Sequence, residues 1–263
     1  MKKYIVLTLI FLLSFFLFGC TQKQKEKEPT DLDIIKNRGY LIVGVKTDSK
    51  PFGFYDNKGR LVGLDIDIAR EIATNIFRDN SPANIKFVSV EPRNRIAKLN
   101  SQEVDILVAT MSINNKRKLI LNFSAPYFVA NQKLMIRKTS KISHLQYFNK
   151  NGRLAVVMGT TGEKIVRKVA PNANLIGVKT YTEARDLLLE KKVDAILGDD
   201  CILAGLLTKD LKIINRAYSR EFYAVAIRKS EKSKELLNVV NSAIAVILDE
   251  RKINNITKKW ILY

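Results

Sequence analysis

Apolar residues along this chain follow two alternating spacings. Leu41-Ile42-Val43-Gly44-Val45 is a short, continuous apolar run and predicts a buried strand. Pro51 to Gly63 reads as a loop, with Asp56-Asn57-Lys58-Gly59 as its turn. From Asp65 to Phe77, Ile66, Ala69, Ile72, Ala73 and Ile76 recur at helical spacing. A strand over Ile85 to Val90, a helix over Arg95 to Leu99 and a strand over Val104 to Ala109 follow. The alternation then restarts. Leu154 to Val157 predicts a strand, with a helix from about Glu163. Leu175 to Val178, Thr182 to Glu190 and Val193 to Leu197 predict strand, helix and strand. Strand–helix alternation of this kind predicts α/β sheets with parallel members.

Val104-Asp105-Ile106-Leu107 and Val193-Asp194-Ala195-Ile196-Leu197 occupy equivalent slots in the two halves, so two similar α/β lobes are expected. Glu231 to Leu262 predicts a mostly helical tail, with Leu236, Leu237, Val240, Ala243, Ile244 and Leu248 on one face. A chain that leaves the first lobe, builds the second and returns needs two crossovers. Ala130 to Ile136 and Phe222 to Ile227 are the candidates. This gives a first lobe from 31–129 and 224–263 and a second over 130–223. A ligand cleft belongs between them, because ligands favour domain interfaces and the carboxyl ends of parallel strands.

The N-terminus sets the expected compartment. Met1-Lys2-Lys3, the apolar run Ile5 to Phe18 and Gly19 before Cys20 describe a secretory signal peptide over 1–19. The apolar run is shorter than the roughly 20 residues a membrane-spanning helix needs. Cys20 after Gly19 resembles a lipobox cysteine, although Phe18 is bulkier than that motif usually holds. The expectation is an extracytoplasmic chain lipid-anchored through Cys20 to the cell membrane, on its outer face or in a periplasm. Gln22 to Thr30 is polar and charged, so 20–30 is expected to be a tether. With Cys20 lipidated, Cys201 has no intrachain partner. The net charge of +19 raises nucleic acid and anionic membrane as partners. The basic residues are scattered rather than clustered and the chain is exported, so no nucleic-acid partner is expected.

Pro51-Phe52-Gly53-Phe54-Tyr55 with Gly63-Leu64-Asp65-Ile66-Asp67 resembles a signature of the family 3 extracellular solute-binding proteins. Val104 to Phe123, followed by Ser124-Ala125-Pro126-Tyr127, is similar to a second landmark of that family. Gly159-Thr160-Thr161 and Asp199-Asp200 sit where its second lobe contacts ligand. The resemblance runs from about Ile35 to Trp260. Asn114 and Asn115 depart from it, standing where the family usually has Thr and Pro, and Ser112 stands for its Thr. The resemblance implies an α/β, two-lobed periplasmic-binding-protein fold of the Venus-flytrap type with a two-strand hinge. It also implies a monomeric binding component of an ABC importer, which takes a free amino acid and delivers it to a permease with a separate ATPase. No cofactor is implied, and the chain holds no nucleotide-binding loop.

A free amino acid is a zwitterion, and burying either of its charges unpaired is very costly. The resemblance assigns Arg117 to the carboxylate, which its planar fork can hold bidentately, with the Thr161 N–H at a helix start completing that site. Asp199 is assigned to the ammonium group, with Asp200 as the rival at the next position. Thr110 and Ser112 add hydrogen bonds, and Phe52 packs on the ligand's aliphatic part. Lys46, Arg95 and Tyr223 are expected to set side-chain specificity. The added cations favour Glu or Asp, and Gln or Asn, cystine and basic ligands stay as alternatives. Asp65 and Asp67 are read as structural, capping the helix they open.

Three other roles compete with this one. A dehydratase-like enzyme needs a positioned acid or base, but His144 lies in a polar stretch, and the chain has no GxSxG, HExxH or CxxC element. A lipid-anchored, basic protein can serve as a surface adhesin or antigen, which does not conflict with transport. A receptor sensor domain is disfavoured because no transmembrane or signalling segment follows Tyr263.

Overall fold

A computed structural model describes residues 28–260. The signal segment, Cys20 and most of the expected tether lie outside the described residues. Thr30 is buried and caps helix α1 (Asp31–Arg38), and the Asp33 carboxylate accepts from the Thr30 N–H in return. The tether expected over 20–30 therefore ends before Thr30. Among the described residues, no helix is long and apolar enough to cross a membrane.

The first half builds β1 (Leu41–Val45), β2 (Asp48–Ser49), β3 (Gly53–Tyr55), β4 (Leu61–Val62), α2 (Leu64–Phe77), β5 (Ile85–Ser89), α3 (Arg95–Asn100), β6 (Ile106–Leu107), α4 (Asn115–Lys118) and β7 (Leu121–Phe123). The second half adds β8 (Phe128–Arg137), β9 (Arg153–Val157), α5 (Thr161–Val169), β10 (Asn174–Val178), α6 (Tyr181–Leu189), β11 (Ala195–Asp199), α7 (Asp200–Ala204), β12 (Leu211–Ile213) and β13 (Ser219–Tyr223). The chain closes with β14 (Ala226–Arg228), α8 (Lys234–Ile247) and α9 (Glu250–Trp260). One sheet has the order β5-β1-β6-β14-β7, and the other β10-β9-β11-β8-β12 with β13 also on β8. In each sheet the strands that alternate with helices pair in parallel, and the strands entering or leaving pair antiparallel. This is the two-lobed α/β architecture the alternation implied.

The sequence echo has a physical counterpart. Asp105 precedes β6, and its carboxylate accepts from the Ile42 N–H at 2.7 Å and pairs with Arg38. Asp194 precedes β11, accepts from the Arg153 N–H at 2.8 Å and pairs with Arg137 at 3.0 Å. Each aspartate thus pins the start of one central strand to its parallel neighbour.

Two expected elements differ. The loop over Pro51 to Gly63 contains a hairpin, because Phe54 and Tyr55 pair with Val62 and Leu61. Its turn is the expected one: Asp56 accepts from the Lys58 and Arg60 N–H groups. The strand expected over Val104 to Ala109 is ordered as a ladder only at Ile106–Leu107. Of the two expected crossovers, Ala130 to Ile136 lies inside β8, while Phe222 to Ile227 spans the end of β13 and the start of β14. The chain passes between the sheets at Ser124–Tyr127 and Ala224–Val225. These segments bond to each other, Ser124 N to Val225 O at 3.0 Å and Tyr127 N to Tyr223 O at 2.8 Å.

Asp65 does not cap α2 as expected. Gly63 occupies the N-cap without a side-chain bond. The Asp65 carboxylate is fully buried and accepts from the Thr110 N–H and the Tyr127 hydroxyl, both at 2.8 Å. It thereby fixes Thr110, which holds φ 47, a backbone region a β-branched residue rarely adopts. Asp67 reaches Arg70 and the C-terminal Lys259 and Trp260. Asp65→Ala leaves two buried donors without an acceptor, and we expect it to lower stability by about 2–4 kcal/mol. Urea unfolding measures this directly, and an unchanged midpoint would contradict the role given to Asp65.

Candidate functional site

The carboxyl ends of β1 and β11, the Thr110 turn and the N-terminus of α5 meet at a small cavity between the lobes. Lys46, Ser49, Pro92, Arg95, Thr110 and Ser112 line one side. Thr160, Thr161, Tyr181 and Asp199 line the other. Arg117 is buried close by, on the carbonyl of the lining residue Ser112.

Lys46 extends from the end of β1 and is almost fully buried. Its Nζ meets Asp48 Oδ1 at 2.7 Å. Burial holds its pKa below the usual lysine value, and Asp48 partly offsets this. Arg95 opens α3 and donates to the Ala109 carbonyl at 2.5 Å. Its Nε has no partner. Burial, and then the neighbouring Arg117 cation, push its pKa down to about 9. Arg117 sits in α4, which Asn114 caps by accepting from the Arg117 N–H at 2.9 Å. The Asn that departs from the family pattern therefore still supplies a cap. The Arg117 guanidinium donates to the Ser112 carbonyl at 2.7 Å and across the lobes to the Gly159 carbonyl at 3.4 Å.

Gly159 holds φ 82, and a Cβ there would lie 2.8 Å from the Arg93 nitrogen, so the two lobes touch backbone to backbone. Thr160 caps α5 through the Glu163 N–H, while Glu163 accepts from the Gly159 N–H at 2.9 Å. Thr161 is the first helical residue, and its N–H has no intrahelical acceptor.

Asp199 ends β11 and is 6% exposed. Burial pushes its carboxyl up to about 7. The Tyr223 hydroxyl opposes this from close by, short of a hydrogen bond of normal geometry, while the Glu221 and Asp200 charges add to the rise. Gln132 Nε2 donates to Asp199 Oδ1 at 2.7 Å. Asp200 turns away: it accepts from Asn131 and Cys201, pairs with Lys133 at 3.5 Å and lines a separate groove. Of the two neighbouring aspartates, the structure brings Asp199 alone to the cavity.

Phe52 and Tyr223 lie behind the cavity wall. Phe52 is fully buried and meets the Phe128 and Tyr223 rings edge-on at 5.1 and 5.3 Å. The expected contact of Phe52 with ligand is thus replaced by an aromatic cluster at the crossover. Gln132, Tyr181 and Glu221 had no part in the sequence reading. Gln132 carried a signal, as a polar residue in the otherwise apolar part of β8. Tyr181 and Glu221 carried none that separates them from surface residues.

His144 stands at the start of a 3₁₀ turn and bonds to Ser143, away from the cavity. Burial, and then Asp200, push the Cys201 thiol up to about 12, so it stays a thiol at neutral pH.

The chain resembles known proteins over nearly its whole length. It is 32% identical over 271 residues to "ABC transporter glutamine-binding protein GlnH" of Bacillus subtilis (strain 168), covering 99% of this chain and 98% of the relative. "Glutamine-binding protein" of Geobacillus stearothermophilus is 35% identical over 256 residues, 90% of this chain and 97% of that one. Among solved structures, a mutant of ArgBP from T. maritima matches with a TM-score of 0.81 and 31% identity, covering 88% of this chain and 98% of that chain. The model for bacterial extracellular solute-binding proteins, family 3, matches residues 41–263, and the chain belongs to that family.

Proposed function

We propose that the protein is the substrate-binding component of an ABC importer and captures an acidic amino acid, glutamate or aspartate, between its lobes. One observation carries the reading. The buried side-chain atoms without a hydrogen-bond partner among the described residues are Arg95 Nε, Gln132 Oε1, Tyr181 Oη and Tyr223 Oη. All four belong to this cavity or the wall behind it. Buried polar atoms are normally satisfied, so a ligand carrying both donors and acceptors is the natural partner. Asp199 in the cavity wall and the buried Arg117 on the Ser112 carbonyl match the two charges of a zwitterion.

In this reading Arg117 and the Thr161 N–H hold the α-carboxylate, and Asp199 holds the ammonium group. Thr110 and Ser112 add backbone and hydroxyl contacts. Arg95 meets the side chain, with Tyr223 behind the wall. The buried Arg95 guanidinium, depressed further by the Arg117 cation, favours a second anionic group on the ligand. Lys46 contributes less than its charge suggests, because Asp48 already offsets it. Phe52 supports Tyr223 from behind. Lobe closure seals the site, and the closed form docks on a permease driven by a separate ATPase. Signal cleavage after residue 19 and lipidation of Cys20 keep the protein at the membrane. We read 31–129 with 224–263 as the first lobe and 130–223 as the second. Transport, not catalysis, is the role proposed. A second reading, glutamine, is favoured by the two glutamine-binding relatives, and its side-chain carbonyl also accepts from Arg95.

Calorimetric titration of protein refolded free of carried-over ligand separates the two readings. We expect glutamate or aspartate to bind more tightly than glutamine, and Arg95→Gln to reduce that preference at least tenfold. Binding of glutamine alone would sink the acidic assignment. Arg117→Ala leaves a buried carboxylate unpaired in the complex, and a loss of about 2–5 kcal/mol, at least about 30-fold, is expected. The pH dependence has a definite sign. Without ligand the Asp199 carboxyl titrates at about 7, and a bound ammonium favours its ionised form. Affinity is therefore fully present above that value and falls as pH drops through it, by up to about tenfold per unit. Equal dissociation constants at pH 6 and pH 8 would remove Asp199 from the ammonium site.

A further inference from the structure

Gln132 is fully buried in β8, directly opposite Asp199 of β11 and Ser219 of β13. Directly opposed residues of a ladder share one face of the sheet, so the Gln132 and Asp199 side chains project together. A carboxylate only accepts, so the amide nitrogen faces it. Besides its 2.7 Å bond to Asp199, Nε2 reaches Thr161 Oγ1 at 3.4 Å. One amide on a third element thus joins the two second-lobe groups proposed to meet the ligand's opposite ends. The site is shaped for it, because a Cβ at residue 162 would lie 2.9 Å from Gln132 Oε1, and that residue is Gly162. The amide oxygen itself has no partner. Packing alone favours an apolar side chain at such a position.

We infer that Gln132 is a positioning residue of the site, aiming the Asp199 carboxylate between the lobes through Nε2. The inference rests on the amino-acid reading above. It also has a consequence for pH. Asp199 is faced by Tyr223 and Glu221 from β13, Tyr181 from α6 and Arg95 from α3. Asp200 and Cys201 follow it in α7, and Arg117 lies across the cavity. The bond from Gln132 is donated to the charged form, so removing it raises the Asp199 pKa further.

The test compares glutamate affinity in wild type and Gln132→Met from pH 5.5 to 8.5, with thermal melts of the ligand-free proteins to verify folding. In Gln132→Met the midpoint of the affinity decline is expected to move up by about one pH unit. Affinity near pH 7 then falls about fivefold and largely recovers at pH 8.5. An unchanged titration, or a loss equal at every pH, overturns the inference. Gln132→Asn keeps an amide but withdraws it by one methylene. It must move the midpoint in the same direction, which keeps the test decisive if the Met variant does not fold. Failure of the wild type to bind any amino acid removes the underlying reading. Wild-type binding that Arg117→Ala abolishes, with Gln132→Met titrating as wild type, removes the inference alone.

Discussion

Arg95, Arg117, Asp199 and Glu221 are each withdrawn from solvent at the seam between the lobes. An isolated charge there is very costly, so the surrounding structure is built to hold these groups until a partner arrives. Backbone carbonyls of Ala109 and Ser112 take the guanidinium protons, the Gln132 amide takes the Asp199 carboxylate, and Ser219 bonds Glu221. Among the described residues, the buried side-chain atoms left unsatisfied are Arg95 Nε, Gln132 Oε1, Tyr181 Oη and Tyr223 Oη. In the function proposed above, a ligand that completes these bonds removes that residual cost.

Holding such a site demands rigid walls, and each lobe supplies its own. In the first, the buried Asp65 carboxylate ties helix α2 to the Thr110 turn and to Tyr127 at the crossover. In the second, β8 runs through the sheet and carries Gln132 to the same level as Asp199. Asp105 and Asp194 pin the central strands in matching ways, so both parallel sheets present their carboxyl ends to the shared cavity. Between the lobes, contact is made by the paired crossovers, the Phe52–Phe128–Tyr223 cluster and the close approach of Gly159 to Arg93. Arg117 crosses that gap to the Gly159 carbonyl, so one residue proposed to hold ligand also contributes to closure.

Much of this was legible in the order of residues. Strand runs such as Leu41–Val45 and the helix Leu64–Phe77 follow from local spacing, and the paired Val-Asp echoes located two equivalent strands. Lys46, Arg95, Thr110, Ser112, Thr161 and Asp199, read from the chain, all line the cavity. The reading was weaker where a side chain's role depends on direction. Asp65 is structural, as its place at the helix start implies, yet its carboxylate bonds Thr110, 45 residues away, instead of capping the helix. Phe52 was taken for a cleft wall, yet two aromatic rings from the other half of the chain cover it.

The sequence by itself determined the two-lobed α/β architecture, the family and the residue types available to meet a zwitterion. These follow from periodicity and from motifs that are local along the chain. Only the tertiary structure decided which of Asp199 and Asp200 reaches the cavity, that Asp48 offsets Lys46, and that Gln132 stands behind the carboxylate. Strand register and side-chain direction fix those choices, and both are set by contacts between segments far apart in sequence, which no local pattern records.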